Sequence, residues 1–218
     1  MALTLVIGNK NYSSWSMRPW LMLKGAGLAF DEVNIPLYTG ASDKRRILGY
    51  APSGKVPILV DDGVTIWDSL AIMEYLADRF PDAGVWPKDR AQRAHARSIS
   101  SEMHSGFLPL RGECSMNIHR LIKAKALSDD AKQDVARLDE IWTDCCKRYG
   151  SAGPFLFGRF SAADAMFAPV VHRLRTYAVD VSSGAQSYMA TMTAFAPFKE
   201  WTEAALKETL VIAKFEED

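Results

Sequence analysis

Two short stretches of this chain carry side chains that could do chemistry. The first is Ser13-Ser14-Trp15-Ser16-Met17-Arg18-Pro19-Trp20. A serine at the start of a helix accepts from the first backbone N–H groups, which is ordinary capping. The same position favours an anion, because the helix-end amides point outward. A free thiol ionises near pH 8.5, and helix N-termini and hydrogen bonds lower that value. A thiol bound beside Ser13, Ser14 or Ser16 would therefore ionise without a protein base. From the residues alone, capping and anion stabilisation both stay open.

The second stretch runs from Ser53 to Ser69. Lys55-Val56-Pro57 precedes a strand-like Ile58-Leu59-Val60, and Asp68-Ser69 stands before a periodic apolar segment. Pro57 is either a simple turn residue or the site of a cis bond that exposes the main chain of Val56. With the second reading, backbone groups on one side and a helix N-terminus on the other make a site for a peptide-like anion.

The elements that must position these residues are legible. Leu3 to Ile7 reads as a buried strand, and Gly8 to Tyr12 as a loop. A helix starts in the serine cluster, tolerates Pro19 in its first turn and stops at Gly25-Ala26-Gly27. Phe30 to Ile35 alternates as a second strand, parallel to the first through the crossover helix. Asp62-Gly63 predicts a two-residue hairpin turn, since both positions need φ > 0. Val64 to Trp67 is the return strand, and Asp68 or Ser69 caps a helix over about 70–80.

K-V-P-I-L, D-D-G and D-S-L-A-I-M-E-Y-L together resemble the glutathione-binding half of the cytosolic glutathione transferase superfamily. The resemblance covers the N-terminal third. It implies that the backbone of Val56, beside a cis Pro57, pairs with the cysteinyl part of glutathione. It implies that Asp68 and Ser69 hold the γ-glutamyl end; Asp68 is one methylene shorter than the family's usual Glu or Gln. Lys55, and secondarily Lys44 in the basic run Lys44-Arg45-Arg46, would face the glycine carboxylate. In the serine-dependent classes (zeta, tau, phi and theta), a loop serine donates to the glutathione thiolate. Aligning Arg18 and Gly27 with the family pattern places Ser13 there, with Ser14 and Ser16 as neighbours one slip away. Trp15 stands where the zeta class usually has Cys, so the class is unassigned. The loop also lacks the cysteine of thiol-redox relatives.

The bulk numbers agree with a globular chain. It has 218 residues, 48% hydrophobic and 24% charged, with Lys+Arg and Asp+Glu both 26. A net charge near zero argues against nucleic acid or an anionic membrane as partner. No apolar run approaches a membrane span, and no secretory signal is seen at the N-terminus, so the cytoplasm is the expected compartment. Three cysteines make no disulfide framework, and no His or Cys pair has metal-ligand spacing. Residues 81–89 read as a linker, and 90–218 as helices. A long periodic stretch from Asp89 to about Arg120 is expected to bend at Pro109. Ser128 caps a second helix ending near Tyr149. Ser161-Ala162-Ala163-Asp164 is a capping box with a structural role. Two shorter helices span 185–195 and 197–207, and the tail packs through Phe215.

On the first helix of this half, Met103, His104, Phe107 and Arg111 are either core packing or the wall of a second pocket. The resemblance places this helix facing the thiolate, so a Met/Phe wall with one His and one Arg would suit an apolar electrophile with an anionic group. The expected fold is thus a thioredoxin-like βαβαββα domain over 1–80 and an all-α domain over 90–218. The resemblance implies a glutathione transferase that uses glutathione as cosubstrate, with no bound cofactor and no metal, and forms a homodimer. Two alternatives stand beside it. One is a glutathione-dependent isomerase of the maleylacetoacetate type; the other is a glutathione-binding or assembly module without turnover.

Overall fold

The structure, a computed structural model, describes residues 3–216. Its sheet is built from β1 (Leu3–Ile7), β2 (Phe30–Asn34), β3 (Ile58–Asp61) and β4 (Val64–Trp67), in the order β2-β1-β3-β4. β1 pairs in parallel with β2, Leu5 opposite Glu32, and antiparallel with β3, Leu5 opposite Leu59. The parallel pair is joined by α1 (Ser14–Gly25), as a crossover requires. α2 (Ala41–Leu48) and α3 (Ser69–Arg79) complete the domain. The β3–β4 turn has φ 47° at Asp62 and 81° at Gly63, the left-handed pair that a tight hairpin needs.

Central β1 is buried on both faces, so its alternation sorts side chains between two cores. Val6 packs with Ile35, Ile47 and Ile58 under α2. Leu5 and Ile7 join the large core formed by α1, α3 and the helical domain.

That second domain holds α4 (Arg90–Ser105), α5 (Leu108–Glu113), α6 (Asp129–Tyr149), α7 (Ala162–Thr176), α8 (Ser183–Ala194) and α9 (Ala196–Leu206). α7 is buried along nearly its whole length. Four alanines in its first two turns keep it thin enough to be packed on all sides. At its start Asp164 accepts from the Ser161 N–H (2.9 Å), the Ser161 hydroxyl (3.1 Å), the Leu156 N–H (3.1 Å) and the Tyr188 hydroxyl (3.2 Å). Burial pushes its carboxyl up to about 6 against those donors.

The long helix expected from Asp89 to Arg120 is not bent but broken. α4 ends at Ser105, and Phe107 follows in the left-handed region at φ 58°. Pro109 sits in the first turn of α5, where its missing N–H costs nothing. No helix of the described residues is long and apolar enough to cross a membrane. Cys114, Cys145 and Cys146 are free thiols.

Candidate active site

A cavity of about 840 Å³ opens between the two domains. Ser13, Ser14 and Trp15 at the start of α1 form its floor, and Lys44, Lys55 and Val56 its sheet-domain side. Arg111, Arg173 and Phe215 come from the other side. Ser13 is the N-cap of α1. Its hydroxyl donates to Ser16 Oγ (2.7 Å) and accepts from the Ser16 N–H (3.4 Å). Ser14 Oγ accepts from Arg173 Nη2 (3.3 Å).

Ser16 departs from the expectation that any of the three serines could face a thiol. It is fully buried, absent from the cavity wall, and accepts from the Gly8 N–H at 3.1 Å. It ties the end of β1 to α1. Replacing Ser16 with Ala strands the Gly8 N–H, and the expected cost is about 1–3 kcal/mol, read by urea denaturation.

The Val56–Pro57 bond is cis, and Val56, Lys55 and Lys44 all line the cavity. Pro57, Asp68 and Ser69 do not line it. Asp68 caps α3, its Oδ1 accepting from the N–H groups of Leu70 (2.8 Å) and Ala71 (3.4 Å). Its φ of 79° is a conformation that L-residues rarely hold without a local reason. Ser69 is buried, and its Oγ accepts from Arg18 Nη1 at 3.5 Å. Arg18 thereby links this corner to the serine cluster, since its guanidinium also lies 4.3 Å from the Trp15 ring centroid.

On the helical side, three of the four candidates lie off the cavity wall. Met103 is 1% exposed and Phe107 6%; both belong to the large core and neither walls the cavity. The break after α4 also takes Phe107 off the helix that carries Met103. His104 is likewise absent from the cavity wall. Its Nε2 meets Asp68 Oδ2 at 3.2 Å, while its buried Nδ1 has no partner among the described residues. Burial pulls its pKa down, with Asp68 opposing and Arg18 and Arg111 adding to the fall, so the ring is neutral at pH 7. Arg111, on α5, lines the cavity.

Several cavity residues escaped the sequence reading, chiefly Tyr38, Phe215 and Arg173. The signal for Arg173 was there: an arginine inside the apolar run Ala168-Pro169-Val170-Val171-His172-Arg173-Leu174. Tyr12, next to Ser13, is also on the wall. Its hydroxyl donates to Glu216 Oε1 (2.6 Å) and accepts from the Ile212 N–H (3.3 Å), and its ring stacks on Phe215. Ile212, Phe215 and Glu216 thus engage Tyr12 beside the serines.

The site is cationic. Burial and the other two guanidiniums pull Arg18 down to about 9. Burial, then Arg111, brings Arg173 to about 10. All three arginines therefore stay charged at pH 7. Arg173 donates to the carbonyls of Arg111 and Cys114 as well as to Ser14. Positive charge beside a serine-capped helix end favours a thiolate or carboxylate in the cavity.

A thioredoxin-like sheet domain, an all-helical partner and a serine-capped helix at the cavity between them define the class of fold. Residues 12–79 match the family profile described as "Glutathione S-transferase, N-terminal domain", and residues 125–204 its C-terminal counterpart. Glutathione S-transferase 1 of Dianthus caryophyllus is 31% identical over 163 residues, 72% of this chain and 71% of that one. A probable maleylacetoacetate isomerase of Caenorhabditis elegans is 40% identical over 97 residues, a match spanning 44% of either chain. Among solved structures, a glutathione transferase homolog from Burkholderia with bound glutathione superposes at a TM-score of 0.68, with 24% identity, covering 94% of this chain and 98% of that one. The chain belongs to the glutathione S-transferase family.

Proposed function

We propose that this protein conjugates glutathione to a small electrophile, with Ser13 donating to the thiolate. The observation that carries this reading is the shared cavity. It joins the N-cap hydroxyl of α1, the Lys55-Val56 backbone beside the cis proline and two arginines of the helical domain. Glutathione lies extended along Val56, with its γ-glutamyl end toward Asp68 and Ser69 and its glycine carboxylate toward Lys55 and Lys44. Holding the two reactants together supplies much of the rate, and ionising the thiol supplies the rest. Neither metal nor bound cofactor enters this scheme.

The thiolate absorbance of bound glutathione, titrated with pH, tests the reading. A bound thiol pKa well below 8.5 is expected. A value left at that of the free tripeptide favours a binding module without turnover, and no binding at all removes the reading.

Arg111 gives the electrophile a charge preference. Replacing Arg111 with Ala is expected to raise KM for an acidic electrophile about tenfold, the loss of one charged hydrogen-bonded contact. Equal losses for acidic and neutral electrophiles would remove that role.

A second reading, glutathione-dependent isomerisation of a carboxylate-bearing cis alkene, is favoured by the name of the C. elegans relative and by the paired arginines. There the thiolate adds, the bond rotates and elimination returns glutathione, so glutathione consumption separates the two. A homodimer belongs to this proposal. The exposed Val64 and Trp67 of edge strand β4 supply apolar surface for it, and sedimentation gives the mass.

A further inference from the structure

We propose that Trp15 is a positioning residue which sets a preference for carboxylate-bearing electrophiles by aiming Arg111 into the cavity. This rests on the transferase reading above. The Arg111 guanidinium carbon lies 4.7 Å from the Trp15 ring centroid, and that of Arg18 lies 4.3 Å from it. The His104 ring meets the indole edge-on at 5.2 Å. Arg111 stands on α5, a helix of six residues that follows the interruption at Gly106 and Phe107. Its Nη1 donates to the carbonyls of His104 (3.3 Å) and Gly106 (3.2 Å). Its other N–H groups meet no hydrogen-bond acceptor among the described residues.

Among the described residues no carboxylate pairs with Arg111, and burial lowers its pKa. Arg18 from α1 and Arg173 from α7 carry the same sign. His104 from α4 is neutral, and the Asp68 carboxylate from α3 is taken by His104 and by the α3 N–H groups. Apart from two carbonyls on one nitrogen, the indole face is what attracts this guanidinium. An indole face attracts a cation, more strongly when water is excluded. The free edge of a planar guanidinium matches a carboxylate with two parallel hydrogen bonds. Without the indole, repulsion from Arg18 and Arg173 releases Arg111 toward water.

The test compares two substitution reactions in which the thiolate sulfur bonds to an aromatic carbon and chloride leaves. One electrophile, 4-chloro-3-nitrobenzoate, carries a carboxylate; the other, 1-chloro-2,4-dinitrobenzene, does not. The readout is the acid-to-neutral ratio of kcat/KM. Trp15→Leu is expected to lower the ratio about tenfold, mostly through KM of the acid, as loss of a cation–π contact predicts. Trp15→Phe, which keeps an aromatic face, retains most of the ratio. In an Arg111→Gln background, Trp15→Leu changes the ratio no further. Equal effects of Leu and Phe overturn the proposal, as does an undiminished effect of Trp15→Leu without Arg111. A wild-type protein active on both electrophiles with no preference for the acid overturns it alone. One that turns over neither, although it binds glutathione, overturns the transferase reading with it.

Discussion

Replacing Ser13 with Ala is expected to lower kcat/KM for conjugation by about 10- to 100-fold, the worth of one hydrogen bond to a charged group, roughly 1.5–3 kcal/mol. The pKa of the bound glutathione thiol rises in the same variant, because the hydroxyl favours only the ionised form. In the structure the Ser13 proton is directed at Ser16 Oγ, 2.7 Å away. Turning it to a sulfur in the cavity exchanges one neutral hydrogen bond for a charge-assisted one, which is about twice as strong. Ser14→Ala provides the contrast. Ser14 Oγ receives an N–H from Arg173, so its removal leaves a buried guanidinium short of a partner as well as the cavity short of a hydroxyl. If Ser14→Ala abolishes the thiolate absorbance while Ser13→Ala leaves it intact, the donor is Ser14. Threonine at position 13 keeps the hydroxyl and is expected to recover part of the rate.

The second large effect concerns pH and stability. His172 lies in α7, 5% exposed, with its ring stacked on Phe198 at 4.4 Å and its Nε2 3.3 Å from Thr202 Oγ1. Burial, helped by Arg175, brings its pKa from 6.5 down to about 3. The unfolded chain therefore binds this proton more readily than the folded one. The stabilisation from keeping His172 neutral is whole above pH 6.5 and is lost as pH falls toward 3. At pH 5 the loss is about 2 kcal/mol, from the linkage relation. Asp164 runs the other way. Its raised folded pKa of about 6 means that its contribution is present below about 3.8 and disappears as pH rises through 6.

Comparing wild type with His172→Gln isolates the histidine. The two melting curves are expected to converge as pH falls from 7 to 5, the difference changing by about 4–8 °C for a chain of this size. Parallel curves would mean that the folded ring takes up its proton normally. The position bears on the site, because Arg173 follows it directly on α7 and lines the cavity.

The parts legible in the sequence were those decided within a few residues. Asp62-Gly63 specified its hairpin because the turn needs two positive φ values, and few residue pairs accept them. Asp68 announced the start of α3, and Ser161 with Asp164 that of α7, because a cap is a bond between a side chain and amides two or three positions on. The motif around Val56 and Pro57, with the serine cluster, was enough to name the family and the fold. The break after α4 was harder to read. Gly106, Phe107 and Pro109 act together there, and the helical periodicity runs on across them.

What the tertiary structure decided was which side chains share a space. Met103 and Arg111 follow each other on one periodic stretch, yet one is core and the other walls the cavity. Ser13 and Ser16 are three residues apart in one helical turn, yet only Ser13 opens to a ligand. Arg173 arrives from a buried helix more than 150 positions beyond Ser14, and Phe215 from the end of the chain. The physical reason is that a backbone preference is settled by steric and hydrogen-bonding terms between near neighbours. The composition of a cavity depends on how whole helices turn as they bury apolar surface, and no local pattern records that rotation.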